Sequence, residues 1–240
     1  MISLPLPNAP VTPSRGMKRS VRAATKPALV PFITLREGEE AAPDNLVIVR
    51  HQSGLRLYYR DEDPRDRDMR GVLVARCSFN AVDEHDQPTG KPRWKMMHPY
   101  RQMMCMQAMR CQVCQIPART PLGYIFLAGP GEEDPTKPSV ITNQPPVCPK
   151  HARTAAKLCP HLDERPMVFL ATSFPLYGVH GTVYGLGANG VRVVAEPEEP
   201  LPYGHPNLPT FLASQLVRRL KSFRVVDLDE LLQELAAATA

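Results

Sequence analysis

Four residues with metal-ligand chemistry lie in two close pairs. Cys111 and Cys114 are separated by two residues, and Cys148 and His151 repeat that spacing after 33 intervening residues. Thiolate and imidazole groups are ligands that zinc prefers, and pairs with this spacing let two tight turns hold one ion in a tetrahedron. The sequence therefore predicts one structural zinc site formed by these four side chains.

The segments around the two pairs predict how they are brought together. Residues 122–127 and 139–142 have strand character, with a polar turn between them. Residues 151–158 are rich in good helix formers. A Cys-x2-Cys turn, a hairpin and a helix that carries the second pair are the arrangement of a treble-clef zinc finger. We expect such a treble-clef-like module, preceded by a methionine-rich helix, over residues 96–162.

Cys159 and His161 follow this helix and leave two interpretations open. Cys148 and Cys159 are about 16 Å apart along a continuous helix, at 1.5 Å per residue, so they cannot bind the same ion. Either Cys159 and His161 are structural residues, or they belong to a second or alternative metal site. No second paired motif is present, which favours the structural interpretation. A second site would need further ligands from Cys77, Cys105 or His98.

Catalysis at this metal is not expected. A His-Asn-His nuclease of the treble-clef type places a histidine on the first strand of the hairpin, whereas the sequence has no histidine between Cys114 and Cys148. Four protein ligands also leave no position for a substrate water. The chain has no Gly-x-Ser-x-Gly elbow, phosphate loop or His-Glu-x-x-His motif. We predict a protein that is not an enzyme and has no small-molecule substrate.

The rest of the sequence predicts an α+β fold, with the zinc module embedded in a β-rich body. Residues 28–95 and 163–205 are rich in strand signals, and a hairpin is predicted at residues 46–60. Residues 185–190 match the Gly-x-Gly-x-x-Gly pattern, but strand-forming residues follow, so we interpret them as a hairpin turn. The charged block at residues 60–70 is typical of a solvated loop.

Residues 206–240 are predicted to form a C-terminal pair of helices. Between residues 210 and 223 the apolar positions follow the spacing of one helical face, and Asp227 is a suitable N-cap for a last helix. The two helices pack on the body, or the last one is offered to a partner. The candidate partner-binding residues are Leu228, Leu231, Leu232 and Leu235.

The net charge of +5 lies entirely in the first thirty residues, which hold five basic and no acidic side chains. Together with many prolines, this composition predicts a disordered basic arm over residues 1–27. Basic side chains on the arm and on the zinc helix could contact phosphates weakly and without sequence specificity. These candidates are Arg15, Lys18, Arg19, Arg22, Lys150, Arg153 and Lys157.

The start of the chain lacks a continuous apolar signal sequence, and no stretch reaches the roughly 20 apolar residues of a membrane helix. We therefore expect a cytoplasmic protein with no membrane partner. The six methionines between residues 96 and 109 predict core packing, an adaptable binding face or, least favoured, a soft-metal site with Cys105.

Five segments carry a resemblance to known proteins; they are residues 55–63 (LRLYYRDED), 109–114 (MRCQVC), 120–124 (TPLGY), 145–148 (PPVC) and 159–162 (CPHL). Together they resemble proteins of temperate streptomycete phages, and most closely the recombination directionality factors that partner large serine integrases. The resemblance implies a non-enzymatic partner protein, expressed in the bacterial host, that binds the integrase on DNA attachment sites. It implies a switch from integration to excision, the recombination of attL with attR. A zinc-finger DNA-binding regulator of phage origin is the alternative, and a treble-clef nuclease is the less favoured one.

Overall fold

The computed structural model describes residues 29–42, 45–129, 136–158 and 166–238. These ranges form a mixed α+β fold that is rich in strands, as the sequence predicted. The helices are α1 (Pro99–Gln107), α2 (Pro149–Leu158) and α3 (Leu228–Ala237). The strands are β1 (Thr34–Arg36), β2 (Leu46–His51), β3 (Gly54–Tyr59), β4 (Leu73–Val74), β5 (Pro92–Met97), β6 (Tyr124–Ala128), β7 (Val140–Thr142), β8 (Met167–Ser173), β9 (Leu176–Gly187), β10 (Gly190–Ala195), β11 (Leu201–Pro202), β12 (Phe211–Leu220) and β13 (Ser222–Val226).

Within the described ranges, no helix is long and apolar enough to cross a membrane. The predicted basic arm, residues 1–27, lies outside the described residues.

The largest sheet has the strand order β10-β9-β12-β4, with β11 beside β9 and β7 beside β12. β9 and β12 are antiparallel and place Val179 opposite Leu216. β10 returns beside β9 through a tight turn across which Gly187 pairs with Gly190, whose φ is +112°. The Gly-x-Gly-x-x-Gly segment is thus the hairpin turn that the sequence predicted.

Helix α1 packs against β12 through its methionines. The helix begins after His98, whose ring Nδ1 accepts a hydrogen bond from the Arg101 backbone N–H at 3.4 Å. Met103 and Met106 are buried in a cluster that includes Leu216 of β12. For these two methionines the core-packing interpretation is confirmed.

The helix predicted over residues 210–223 is wrong, because this segment forms β12 and the start of β13. Both faces of β12 carry buried side chains, so its apolar residues do not simply alternate with polar ones. Register shifts in its pairing with β9 also change the face on which successive side chains lie. Together these two features produce the helical spacing of the apolar residues. Even Arg218 is buried, where it donates to the carbonyls of Met106 and Phe174 at 3.0 and 2.7 Å. The C-terminal part therefore contains two strands followed by one helix.

The second sheet has the order β13-β8-β6 and places Phe126 of β6 opposite Phe169 of β8. The hairpin predicted from residues 122–127 and 139–142 is wrong, because β6 pairs with β8 whereas β7 pairs with β12. β6 is almost fully buried, and the long apolar strand β8 offers it a more complete partner than the three residues of β7. Helices α2 and α3 pack on this second sheet.

The N-terminal part adds two small antiparallel pairs, β1 with β5 and β2 with β3. The β2–β3 hairpin confirms the prediction for residues 46–60. A buried ion pair joins this part to α1. Arg101 donates to both carboxylate oxygens of Glu39 at 2.7 and 2.5 Å, with side-chain exposures of 2% and 0%.

Candidate metal centre

The first ligand pair lies on a tight turn that follows α1. The backbone N–H of Cys111 donates to the Ile116 carbonyl at 2.8 Å, and the N–H of Gln115 donates to the Cys111 carbonyl at 2.9 Å. Gln115 adopts a φ of +64°, a left-handed conformation that lets the chain reverse within a few residues. This reversal brings the side chains of Cys111 and Cys114 into one cluster.

The second ligand pair lies at the N-terminus of α2. The N–H of Val147 donates to the Ile125 carbonyl at 2.9 Å, which aligns the chain before Cys148 with β6. Pro149 then starts the helix, a position where the missing N–H of proline costs nothing. His151 follows within the same turn, and its N–H donates to the Cys148 carbonyl at 3.0 Å.

Gln112 joins the two halves of the site. Its backbone N–H donates to the Pro146 carbonyl at 3.0 Å, and its side-chain Nε2 donates to the Pro145 carbonyl at 2.9 Å. These bonds hold the Cys-x2-Cys turn against the segment that leads into α2. Residue type and spacing carry no signal for this role, because it depends on a contact between segments that are distant along the chain.

The four predicted ligands converge. Their candidate ligand atoms all lie within 4.8 Å of one another, and they are the one such group of Cys, His, Asp and Glu among the described residues. The Sγ atoms of Cys114 and Cys148 are 3.9 Å apart, and Sγ of Cys148 is 3.3 Å from Nδ1 of His151. The cysteines are free thiols, so the cluster is compatible with a metal ion.

The electrostatics of the cluster favour a thiolate at Cys111. A hydrogen bond from Cys148 lowers the pKa of Cys111 to about 5, supported by the backbone N–H groups of Val113, Cys114 and Cys148. The same interaction with Cys111, together with burial, raises the pKa of Cys148. Burial is the main cause that raises the pKa of Cys114. These interactions thus favour the thiolate at Cys111 and the protonated thiols at Cys114 and Cys148. A cation among the three sulfur atoms would stabilise the deprotonated form of each.

Helix α3 closes the apolar side of this centre. Asp227 caps the helix by accepting from the N–H groups of Asp229 and Glu230 at 2.8 and 3.0 Å, as predicted. The four leucines of α3 pack against the cluster of core residues that contains Cys111 and Cys148. An exposed ion pair of 2.8 Å between Arg153 and Asp229 joins α2 to α3.

In this fold the leucine face packs on the body itself, which is the first of the two arrangements that the sequence left open. Leu231 and Leu235 are buried, with exposures of 1% and 5%, and Leu228 and Leu232 are half-buried against the same core. The amphipathic pattern is the same for a helix that docks on its own body and for one that docks on a partner, and here the body supplies the apolar surface.

Cys105, Cys77 and His98 do not join the four ligands. Cys105 is fully buried next to the first turn, and burial raises the pKa of its thiol to about 12. Its Sγ is a donor to the Cys111 carbonyl at 3.8 Å, so it supports the turn as a neutral thiol. Nε2 of His98 is held by the Ser78 carbonyl at 3.1 Å.

The remaining candidate residues fall into two groups. Lys150, Arg153 and Lys157 are exposed on α2, as a phosphate-contacting face requires. The others lie outside the described residues; they are Cys159, His161, Arg15, Lys18, Arg19 and Arg22.

No family model, curated protein or solved structure matches this chain. The candidate metal centre is therefore interpreted from its own geometry and chemistry.

Proposed function

We propose that Cys111, Cys114, Cys148 and His151 bind one structural zinc ion. With Zn–S distances of about 2.3 Å, two sulfur ligands of a tetrahedral site lie about 3.8 Å apart. The Sγ atoms of Cys114 and Cys148 are 3.9 Å apart, so they need little movement to accept the ion. Four protein donors fill the coordination sphere, which suits a stabilising role.

The surroundings support a treble-clef-like module with altered strand pairing. The Cys-x2-Cys turn and the helix that begins at the second ligand pair are the two parts of a treble clef that supply ligands. The strands between them belong to two different sheets instead of one hairpin. The zinc ion would thus join α2 to the turn after α1, beside the sheet that contains β6 and β8.

We further propose that the protein is a non-catalytic partner of a DNA recombinase, a phage recombination directionality factor for a serine integrase. This second proposal rests on the position in the fold of the segments that resemble the phage proteins. Gln112 links residues 109–114 to residues 145–148, and Leu122 and Tyr124 of residues 120–124 pack against the core cluster that contains Cys111 and Cys148. Redirecting an integrase needs only a differential affinity of a few kcal/mol between two synaptic arrangements.

An in vitro recombination assay tests this proposal. The full chain is mixed with the serine integrase encoded in the same genome and with attL and attR substrates. We expect recombined product only when the protein is present, together with reduced recombination of attB with attP. The Cys148→Ser variant should lose this effect, because the zinc module around which the resemblance segments lie is no longer held together. Unchanged direction with the folded, zinc-loaded protein would refute the directionality role.

The second candidate function is a zinc-finger DNA-binding regulator, favoured by the exposed Lys150, Arg153 and Lys157 on α2. It predicts a duplex shift in a gel that weakens steeply with salt. The Lys150→Ala/Lys157→Ala variant would reduce the shift while keeping the Arg153–Asp229 ion pair. A duplex shift of this kind without any change in recombination would favour the regulator.

A further inference from the structure

The charged block at residues 60–70 is an ordered network in which four of the five carboxylates pair with arginines. Arg76 alone holds two of them, Asp61 at 2.9 Å and Asp66 at 2.6 Å. Two others pair with arginines of the block, at 2.7 Å for Glu62 with Arg67 and 2.8 Å for Asp63 with Arg65. Because Arg76 pairs with two of these carboxylates, fewer carboxylates remain to pair with the other arginines nearby.

The fifth carboxylate of the block, Asp68, is buried and accepts hydrogen bonds from neutral donors. The Tyr203 hydroxyl donates to it at 2.5 Å, and the backbone N–H groups of Arg70 and Val72 donate at 2.8 and 2.9 Å. Burial and this bond to Asp68 raise the pKa of Tyr203, so its hydroxyl stays protonated. Asp68 is thus fixed by three hydrogen bonds from neutral groups and forms no ion pair with an arginine of the described ranges.

Arg56 and Arg70 line one cavity of about 550 Å3 between the β2–β3 hairpin and residues 203–209. Neither side chain has an ion pair with any residue in the described ranges. Ser53 adds a hydroxyl at the rim, and Leu55 and Leu208 add apolar wall. The cavity therefore combines two guanidinium groups, a hydroxyl and an apolar surface.

Each of the two arginines has an aromatic ring beneath its guanidinium group. The Arg56 guanidinium lies over the Tyr58 ring at 5.6 Å, and the Arg70 guanidinium lies over the Tyr203 ring at 5.8 Å. Arg56 also reaches the backbone next to Arg70, because its Nη2 lies 3.9 Å from the position that a Cβ atom at Gly71 would occupy. Stacked guanidinium groups lose less freedom when they bind a ligand, because their orientation is already restricted.

We infer that this cavity binds a phosphoryl group, with Arg56 and Arg70 as its main ligands and Ser53 as a further donor. The guanidinium fork matches phosphate oxygens in geometry and charge, and two of them in one cavity suit a group with several anionic oxygens. The apolar wall suits the organic part that carries the phosphoryl group. Its source is either a mononucleotide-sized ligand or the phosphodiester backbone of a nucleic acid. This inference does not depend on the recombination role.

Binding titrations with the full zinc-loaded chain test the inference. The probes are inorganic phosphate, adenosine monophosphate and a fluorescein-labelled (dT)12 strand, all in low salt. We compare the variant Arg56→Gln/Arg70→Gln with the matched control Arg50→Gln/Arg60→Gln. The control removes the same charge from exposed arginines outside the cavity. The cavity variant should bind the preferred probe roughly tenfold or more weakly, and the control should stay within about twofold.

The probe that binds most tightly identifies the source of the phosphoryl group. Preference for (dT)12 assigns a nucleic-acid backbone, and preference for adenosine monophosphate or phosphate assigns a small ligand. Absence of binding by every probe at millimolar concentration would overturn the inference. Equal losses in the two double variants would also overturn it, because the effect would then be general charge attraction.

A measurement on the wild-type protein covers the case in which the cavity variant does not fold. Phosphate is titrated into 15N-labelled protein while amide chemical shifts are recorded. Saturable shifts should concentrate at Ser53, Arg56, Gly71 and Gly204, which line or border the cavity. Shifts confined to other surfaces would contradict the proposed site.

Discussion

At the scale of single residues, the metal centre depends on how negative charge on sulfur is balanced. Cys111 is fully buried, yet its pKa is lowered because Cys148 and three backbone N–H groups donate to its sulfur. The same N–H groups would still face the sulfur when a cation replaces the shared protons. The turn is therefore organised to hold a thiolate before any ion binds.

Cys148→Ser tests the role of these ligands in metal binding and stability. Cys148 is buried and central to the cluster, and a serine hydroxyl is a much weaker ligand for zinc. We expect about one equivalent of zinc per wild-type chain and close to none in the variant. The unfolding free energy should fall by several kcal/mol, since structural zinc sites contribute on the order of 10 kcal/mol to folding.

Cys77→Ser is the matched control for this substitution. Cys77 is half-buried and lies outside the four-residue cluster, so the variant should keep its zinc and most of its stability. Elemental analysis and urea unfolding measure both properties. If the Cys148→Ser protein retains a full equivalent of zinc, the assigned ligand set is wrong.

The four ligands could be predicted because residue type and short spacing already specify their chemistry. Gln112 and Gln115 could not be predicted. Gln112 acts through bonds to Pro145 and Pro146, and Gln115 acts through a left-handed backbone conformation in which glycine or asparagine is more usual. Roles of this kind come from tertiary contacts and backbone geometry, which residue type alone does not encode.

At the scale of elements, the same apolar pattern has different outcomes in two neighbouring segments. The leucines of α3 form one helical face that docks on the body. Residues 211–220 have similar spacing but form β12, which is buried on both sides and shifted in register twice. Periodicity distinguishes helix from strand only when one face is exposed, so a central strand with bulges imitates a helix.

Leu231→Ala tests whether α3 is part of the folded body. Leu231 is 1% exposed and packs in the core cluster that contains Cys111 and Cys148. Truncating such a side chain leaves a cavity and should lower the unfolding free energy by about 2 to 5 kcal/mol. Urea denaturation of the zinc-saturated protein measures this change.

Leu186→Ala provides the comparison on β9, where the leucine is 50% exposed. A substitution at such a surface position should change stability by less than about 1 kcal/mol. Equal, small effects of both substitutions would show that α3 is not docked as described, and would reopen the possibility that its leucines bind a partner.

At the scale of the whole molecule, the described core has separate apolar clusters. One surrounds the metal centre and includes α2, α3, β6 and β8. Another lies between α1 and the sheet that contains β9 and β12. Gln102 links α1 to β12 by accepting from the Leu216 N–H at 3.0 Å and donating to its carbonyl at 2.9 Å. The second cluster thus has its own supporting contacts that do not pass through the metal ligands.

Metal removal should therefore loosen the two regions unequally. After treatment with a zinc chelator, the amides of Cys111, Gln112, Gln115 and Val147 should lose protection from hydrogen exchange by about a hundredfold or more. Their hydrogen bonds belong to the turns that the ion holds together. Amides in the β9–β12 pairing should lose much less, because their bonds and the core around Leu216 do not require the ion.

Hydrogen exchange read by mass spectrometry distinguishes these regions, and added zinc should restore the wild-type pattern. The Cys77→Ser protein should respond to the chelator as the wild type does, since its ligand cluster is intact. Uniform loss of protection in both regions would contradict this expectation. The ion would then support the entire fold, and the contacts of Gln102 with β12 would be too weak to hold the larger sheet together by themselves.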